Sequence, residues 1–484
     1  MEPIVIKNFY AGVGESEFLG NGDTINCDLD WRKGVVRINN LPTTSTFSFD
    51  EFPLWIVANE AISDQVWALG DSGTLYRGTA STNAWSTAHV PTSSPGNGQG
   101  LQVWKNYAFR LRRTQIDTFG PLDGSAIMTQ NWQSVDDDTL WHPMIVGQDD
   151  ILYGGAGRYV FSIQEASGST FTPGTASTYT FSSRALDLPQ DERIRAVGEL
   201  GKNLMSGTWK GANIYEQKVA NIYPWDRVSD SFNLPLRLHE NGIQAMINVN
   251  NLLYFFNGIE GKLNVTDGTS IQELARIPQQ VMDLTGGVFL EVYPGSVMYH
   301  EDKIMFGLSR GDGSHGHVWS YDLKTGALAL ENTISSGTAV GNRIGGLLST
   351  ARETYLIGWR DSNNLEGIDL VGNTTRYTDY SAMVTSGYLQ IGTASQPQIT
   401  SEIEISLARP LATGQGVQLQ YRTNLSAGFT PVPGGTIDFA TYGGIQQRNI
   451  SFRVEVANGI QIRARLTTGS SSSTSPELAQ IVVR

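Results

Sequence analysis

Three groups of side chains in this 484-residue chain have types and spacings that could do chemistry. His315 and His317 stand as His-x-His in a glycine-rich turn beside Asp312, as two neighbouring metal ligands would. A zinc site needs three or four protein ligands, and no Cys-x-x-Cys or His-Glu-x-x-His accompanies this pair. A hairpin turn that happens to carry histidines is the better reading. Asp136, Asp137 and Asp138 could hold a hard cation, but the glycine and spaced carboxylates of a calcium loop are missing, so a solvated acidic turn is expected. Arg110, Arg112 and Arg113 lie in FRLRRTQID. On a strand the first two project to one face and the third to the other. They either form salt bridges at a sheet edge or meet a phosphate or partner at a channel wall, where the planar guanidinium favours bidentate pairing. All three are retained as possible channel or partner contacts. No Gly-x-Ser-x-Gly elbow or phosphate-cradling loop occurs, and no motif fixes two carboxylates as a hydrolytic pair. No catalytic residue, cofactor or metal is therefore expected.

The elements that would position these residues come from a repeat. Seven strand-turn-strand phrases begin at Val66, Tyr107, Ile151, Leu204, Leu253, Ile304 and Tyr355, in successive steps of 41, 44, 53, 49, 51 and 51 residues. Each opens on an apolar or alternating run, turns on Gly, Asp, Asn or Ser, and re-enters a strand. Such steps match the blades of a β-propeller, roughly 40–50 residues each. A sandwich or barrel of ordinary hairpins would not need so regular a spacing. Six or eight blades are possible if the longer units hide a strand pair, and residues 218–242 look like an insertion on one face.

The chain's two ends read differently. Residues 1–45 form an extended arm with one β-branched run at Gly34 to Ile38, and such an arm can close a propeller by joining its last blade. Residues 46–395 carry the blades. From residue 396 to 484 the runs become short and alternating. In ISFRVEV, Ile450, Phe452, Val454 and Val456 share a face; in IQIRARL, Ile460, Ile462, Ala464 and Leu466 do. That pattern predicts a small antiparallel β-sandwich. No 3.6-residue apolar stripe argues for a helix.

Composition bounds the rest. Charged residues make up 17% of the chain, below the roughly 25% of an average soluble domain. The net charge is −13, without the basic balance of a free-standing nucleic-acid binder. An acidic surface suits a protein past which nucleic acid slides, though acidity more commonly serves solubility. The single cysteine, Cys27, allows no intrachain disulfide and argues for folding in a reducing compartment. The N-terminus lacks the pattern of a signal peptide, and no apolar run approaches the roughly 20 residues of a membrane helix. Synthesis in a cytosol is expected.

GTWKGANIYEQ, YPWDRVSD and NNLLYFFNGIEGKLNVTDGTSIQELARIP carry a resemblance. A strand ending in tyrosine is followed by Pro224-Trp225, then an apolar strand, the turn Asp267-Gly268-Thr269, and Ile277-Pro278. With CDLDWRKGVVRINN in the arm and the closing LAQIVVR, the layout is similar to the hub or nozzle proteins of tailed-bacteriophage tails, of the kind that stabilise packaged DNA. The resemblance covers most of the chain in layout, through short and degenerate motifs. It implies a non-enzymatic virion protein, made in the host bacterial cytoplasm. Such a protein would form a homo-oligomeric ring, commonly six-fold, that extends the DNA channel and helps retain and deliver the genome. Its neighbours would be other tail proteins on the portal or adaptor side and the fibre side, and genomic DNA would pass without sequence-specific contact. Two other readings stay open. One is a tail-tip or fibre-type adhesin for a host glycan, with Tyr421, Phe429 and Tyr442 as candidate platforms. The other is a propeller glycoside hydrolase, since Gly70 to Tyr76 faintly resembles the Asp-box turn of sialidase-type propellers.

Overall fold

The computed structural model describes residues 4–6, 21–32, 35–91, 99–136, 141–211, 217–277, 290–310, 316–336, 342–378, 380–391, 396–469 and 474–484. Among them the chain is nearly all β, and six of the seven hairpin phrases become the second and third strands of successive blades, while the phrase from Leu204 supplies only the second strand of its blade. Blade 1 runs from Pro53–Ala58 to Ala84–His89, and blade 2 from Gly100–Trp104 to Ile127–Ser134. Blade 3 spans Met144–Val146 to Tyr179–Asp187, and blade 4 Glu192–Leu200 to Leu236–Leu238. Blade 5 spans Ile243–Val249 to Ile271–Arg276. Blade 6 opens with Leu290–Glu291 and Val297–His300, both paired to Lys303–Arg310, and ends at Leu328–Asn332. Blade 7 takes three strands, Arg343–Ala351, Thr354–Arg360 and Glu366–Arg376, from its own stretch of chain. Its fourth, Asn40–Thr44, comes from the arm.

Local chemistry makes these hairpins. The first two strands of blades 2, 5 and 6 meet through two-residue turns at Lys105-Asn106, Asn250-Asn251 and Glu301-Asp302, with both residues at positive φ. That is the type I′ geometry whose twist matches the flanking strands. Glycine then sets how close the blades come. A Cβ on Gly207 would lie 2.6 Å from Ile243, and one on Gly307 2.2 Å from Ile344, each on the next blade's first strand. Gly358 repeats the device at the ring's seam, where its Cβ would lie 2.5 Å from the Pro53 carbonyl oxygen of blade 1. The ring is closed there by packing of the first strands of blades 7 and 1.

The segment 218–242 is no insertion. It supplies the third and fourth strands of blade 4, Ala220–Trp225 and Leu236–Leu238. ANIY occurs twice within twelve residues here, and the third strand uses the second copy; the first, at 212–215, lies outside the described residues. Pro224 is tolerated in this strand because the pairing with Leu236–Leu238 stops at Ile222.

Both chain ends build the sandwich. One sheet orders Cys27–Arg32, Val35–Ile38, Leu478–Val483, Gln398–Leu407 and Gln447–Val456, with Ile4–Ile6 also beside Leu478–Val483. The other places Asn21–Ile25, Ala382–Ser386, Gly459–Thr467, Gly416–Arg422 and Thr430–Asp438 in a row. The later part of the sandwich therefore begins at Ala382, ahead of the composition change at 396. Most of the arm's strands belong to the sandwich, and only its last one closes the propeller. A single core joins Cys27, Val36 and Ile38 to Ile403, Leu419, Phe452 and Ile462. The alternating faces expected of ISFRVEV and IQIRARL point into it, with Val454 only half-buried. A parallel bridge between Ile25 and Leu330 ties this sandwich to blade 6.

Candidate functional site

Arg110 and Arg112 do project to one side of their strand, but that side is inside the protein. They are 1% and 6% exposed, and between them lies Asp117, fully buried on the next strand. Arg110 Nη2 donates to Asp117 Oδ2 at 2.6 Å and Arg112 Nε to the same oxygen at 2.7 Å. Arg112 Nη2 reaches Oδ1 at 3.0 Å, and the Asn131 backbone N–H donates to Oδ1 at 2.7 Å. Arg110 also donates to the Gly73 carbonyl at 2.7 Å, which couples blade 2 to blade 1. Burial draws the Arg110 guanidinium below its usual range, and Asp117 opposes that pull. The expectation of a channel or partner contact is thus overturned for Arg110 and Arg112, which no partner can reach. Arg113 is exposed in the turn that follows.

The remaining sequence candidates are dispersed. His317 is half-buried, while His315, Asp137 and Asp138 lie outside the described residues. Asp136 meets Arg184 at 3.1 Å. No cluster of three metal-ligating side chains occurs among the described residues. The aromatic candidates of the sandwich already carry partners on their rings. Arg463 and Arg422 lie 3.7 and 4.6 Å from the Phe429 centroid, and Arg448 lies 3.6 Å from that of Tyr442. Tyr421 packs edge-on against Phe452.

Two places that the sequence did not reveal have the convergence of a site. The first is the propeller axis. Trp55 of blade 1 lies 6.4 Å from Trp141, on the approach to blade 3, and Trp141 lies 5.3 Å from Tyr293 of blade 6. Arg195 of blade 4 stacks 5.4 Å from the Trp141 centroid. It also donates to Glu291 of blade 6 at 2.6 Å and to the Gln244 carbonyl of blade 5 at 3.3 Å. Blades that are not neighbours in the ring touch only where they converge on its axis. Aromatic rings and an Arg–Glu pair therefore fill the axis at the end where the first strands begin.

The second is a cavity of about 260 Å³ between the arm and blades 6 and 7. The arm contributes Asp28, Arg37, Asn39 and Asn40; blade 6 contributes His300, Lys303 and Glu331; Arg352, Glu353 and Tyr355 come from blade 7. Its walls are internally bonded. Arg37 Nε donates to Asp28 at 2.6 Å, and Lys303 Nζ, Ser320 Oγ and Asn39 Nδ2 donate to Glu331 at 2.5, 2.7 and 2.6 Å. Burial works against the charge of Lys303, but Glu331 and Asp28 outweigh it and hold the ammonium above its usual range. Burial keeps the His300 imidazole below its usual range, against the pull of Glu301, Glu331 and Glu353, while its Nδ1 lies 2.9 Å from Ser349 Oγ.

Six four-stranded sheets and one more blade that runs on into one sheet of the sandwich, arranged around a closed axis, define a β-propeller protein among the described residues. No family model matches the chain, and no curated protein matches it by sequence. Similar solved structures include the computationally designed Ika8 protein, at 13% identity over 75% of this chain and 99% of that one, TM-score 0.42. YCF48 bound to D1 peptide is similar at 11% identity over 70% of this chain and 94% of that one, TM-score 0.43. The WD40 repeats of RRP9 are similar at 11% identity over 69% and 99%, TM-score 0.47. At such identities a likeness concerns fold and not function.

Proposed function

We propose that this chain is a structural, non-enzymatic component of a tailed-bacteriophage virion, a tail hub or nozzle protein that works as a ring of copies around the DNA path. The observation that carries the reading is the braiding of the two chain ends. Ile4–Ile6 and Val35–Ile38 pair with the C-terminal strand Leu478–Val483, and the same arm then closes blade 7 with Asn40–Thr44. Propeller and sandwich are thereby tied by strands that cross between them, which suits a part that must transmit load without opening. The sequence resemblance supplies the setting: tail proteins on either side, a ring commonly six-fold, and genome retention and delivery. On this reading DNA runs through the lumen between subunits, because side chains meet across the propeller's own axis at one end.

Antibody labelling of purified virions tests the reading together with the mass of the isolated protein by light scattering. Label on the tail, with a ring-sized species alone or on incubation with tails, is expected. Virions that lack the protein would overturn it.

A further inference from the structure

We propose that Lys303 and Asn39 join in an isopeptide bond, formed within the folded chain with Glu331 as the proton carrier. The proposal does not rest on the tail reading, and a single turnover inside one chain leaves the non-enzymatic role untouched.

Three side chains from distant stretches of sequence carry it. Glu331, 4% exposed in the last strand of blade 6, accepts from Lys303 Nζ on Oε1 at 2.5 Å and from Asn39 Nδ2 on Oε2 at 2.6 Å. An ion pair needs only the lysine. The amide on the second oxygen sets an electrophile beside a buried amine, and one carboxylate touches both the nucleophile and the leaving nitrogen. That amide is held in one orientation. Its Nδ2 donates again to the Glu331 backbone carbonyl at 3.1 Å, and the Asn40 backbone N–H donates to its Oδ1 at 2.7 Å. This N–H faces the oxygen on which negative charge gathers as the amide carbon is attacked. The Lys303 side chain and Asn39 are 13% and 9% exposed, so packing and not collision brings the reactants together.

The reaction balances without a co-reactant. Nζ passes a proton to Glu331 Oε1, and the free amine bonds to Cγ of Asn39. Glu331 delivers that proton through Oε2 to Nδ2 and takes the next one from Nζ. A second delivery completes ammonium at Nδ2, the Cγ–Nδ2 bond breaks, and Glu331 is a carboxylate again. The cavity of about 260 Å³ that all three residues line gives the ammonium a way out. Burial opposes the charge of Lys303, but Glu331 and Asp28 outweigh it, so the amine is a minor form and the bond closes slowly after folding.

The bond answers a need of this architecture. Asn39 sits between Val35–Ile38, which belongs to the sandwich, and Asn40–Thr44, which closes blade 7; Lys303 opens the second strand of blade 6. A link there bolts the closing strand to the ring and constrains the unfolded chain over a long loop, as a disulfide would. The single cysteine leaves no intrachain disulfide for that task.

Intact-mass spectrometry of the purified full chain, followed by tandem mass spectrometry of its tryptic peptides, tests the bond. The chain is expected to weigh one ammonia less than its sequence. A branched peptide should join the segment after Arg37 to the one that runs through Lys303. Lys303→Arg keeps the ion pair but cannot form the link, and Glu331→Gln cannot carry the proton, so both should show their full sequence mass. A parent chain at full mass without the branched peptide overturns the proposal, whatever the variants do. Ammonia loss that persists in Lys303→Arg overturns it too, since a succinimide at Asn39 loses the same mass. A branched peptide that persists in Glu331→Gln overturns the role given to Glu331.

Discussion

Replacing Asp117 by alanine should be among the most damaging single changes in the propeller, although it touches no surface. The carboxylate is fully buried and accepts from Arg110 Nε and Nη2 at 3.0 and 2.6 Å and from Arg112 Nε and Nη2 at 2.7 and 3.0 Å. The Asn131 backbone N–H adds a fifth bond at 2.7 Å. Without it, two guanidiniums on one strand are left buried side by side with no counter-charge between them. Removing one partner of a buried ion pair costs about 3–5 kcal/mol, chiefly the penalty of the charge left behind. That is a large share of the ~5–15 kcal/mol that holds a typical domain.

Equilibrium urea unfolding followed by tryptophan fluorescence measures the loss. A second variant separates the penalty from the worth of the interaction. Arg110→Met, Arg112→Met and Asp117→Leu together replace the network by apolar side chains of similar reach, and should recover most of the loss. If Asp117→Ala costs less than about 1 kcal/mol, or the triple variant is no more stable than the single one, the buried-network reasoning fails. An Asp117→Ala protein of parental stability with weakened assembly would return the two arginines to a surface role.

Two further outcomes are expected. Deleting residues 1–39 strips Cys27, Val36 and Ile38 from the sandwich core, and extending the deletion through 45 also removes the strand that closes blade 7. Both should lower the melting temperature, the longer deletion more, and an unchanged value for the longer one would rule out closure by the arm. For His300, burial holds the folded-state imidazole below the ~6.5 of an unfolded chain, so between the two values the unfolded state binds more protons. Stability should therefore fall as the pH drops through about 6.5, and His300→Gln should flatten the slope of urea midpoint against pH.

What the sequence disclosed follows the range of the interactions. Each two-strand phrase is a local hairpin with its own turn chemistry, so six of the seven were legible, as were the inward faces of ISFRVEV and IQIRARL; in the phrase from Leu204 the repeated ANIY misled, since the second copy and not the first makes the third strand. Blade 7's fourth strand pairs Pro42 with Val371, more than three hundred residues away, and no periodicity announces that partner. For the same reason, the contribution of Cys27–Arg32 and Val35–Ile38 to a sandwich completed by the C-terminus could not be read from composition. The arginine pair was half legible. Alternation put Arg110 and Arg112 on one face, but did not say that the face was inward. The clue lay seven residues on: the turn after Arg112 brings Asp117 directly opposite Arg110, with Gln115 opposite Arg112. The axis and the cavity left no such trace, since each gathers single residues from several blades.

The inward placement of charge recurs, and it answers a weakness of the architecture. Glu192 of blade 4 accepts from Thr208, Asn221 and Tyr223 at 2.5, 2.7 and 2.9 Å, which links its first three strands. Asp369 of blade 7 accepts from the Ser335 backbone N–H and hydroxyl at 2.8 and 2.6 Å, which ties that blade to the chain leaving blade 6. Alternating hairpins are nearly interchangeable, and a one-residue slip in pairing turns every side chain to the opposite face. Such a slip around Asp117 would bury two arginines without their carboxylate. Buried ion pairs add little net stability over apolar packing, but they make the wrong register expensive. A chain with only 17% charged residues that sets several of them inside its blades is using charge to select one pairing among many.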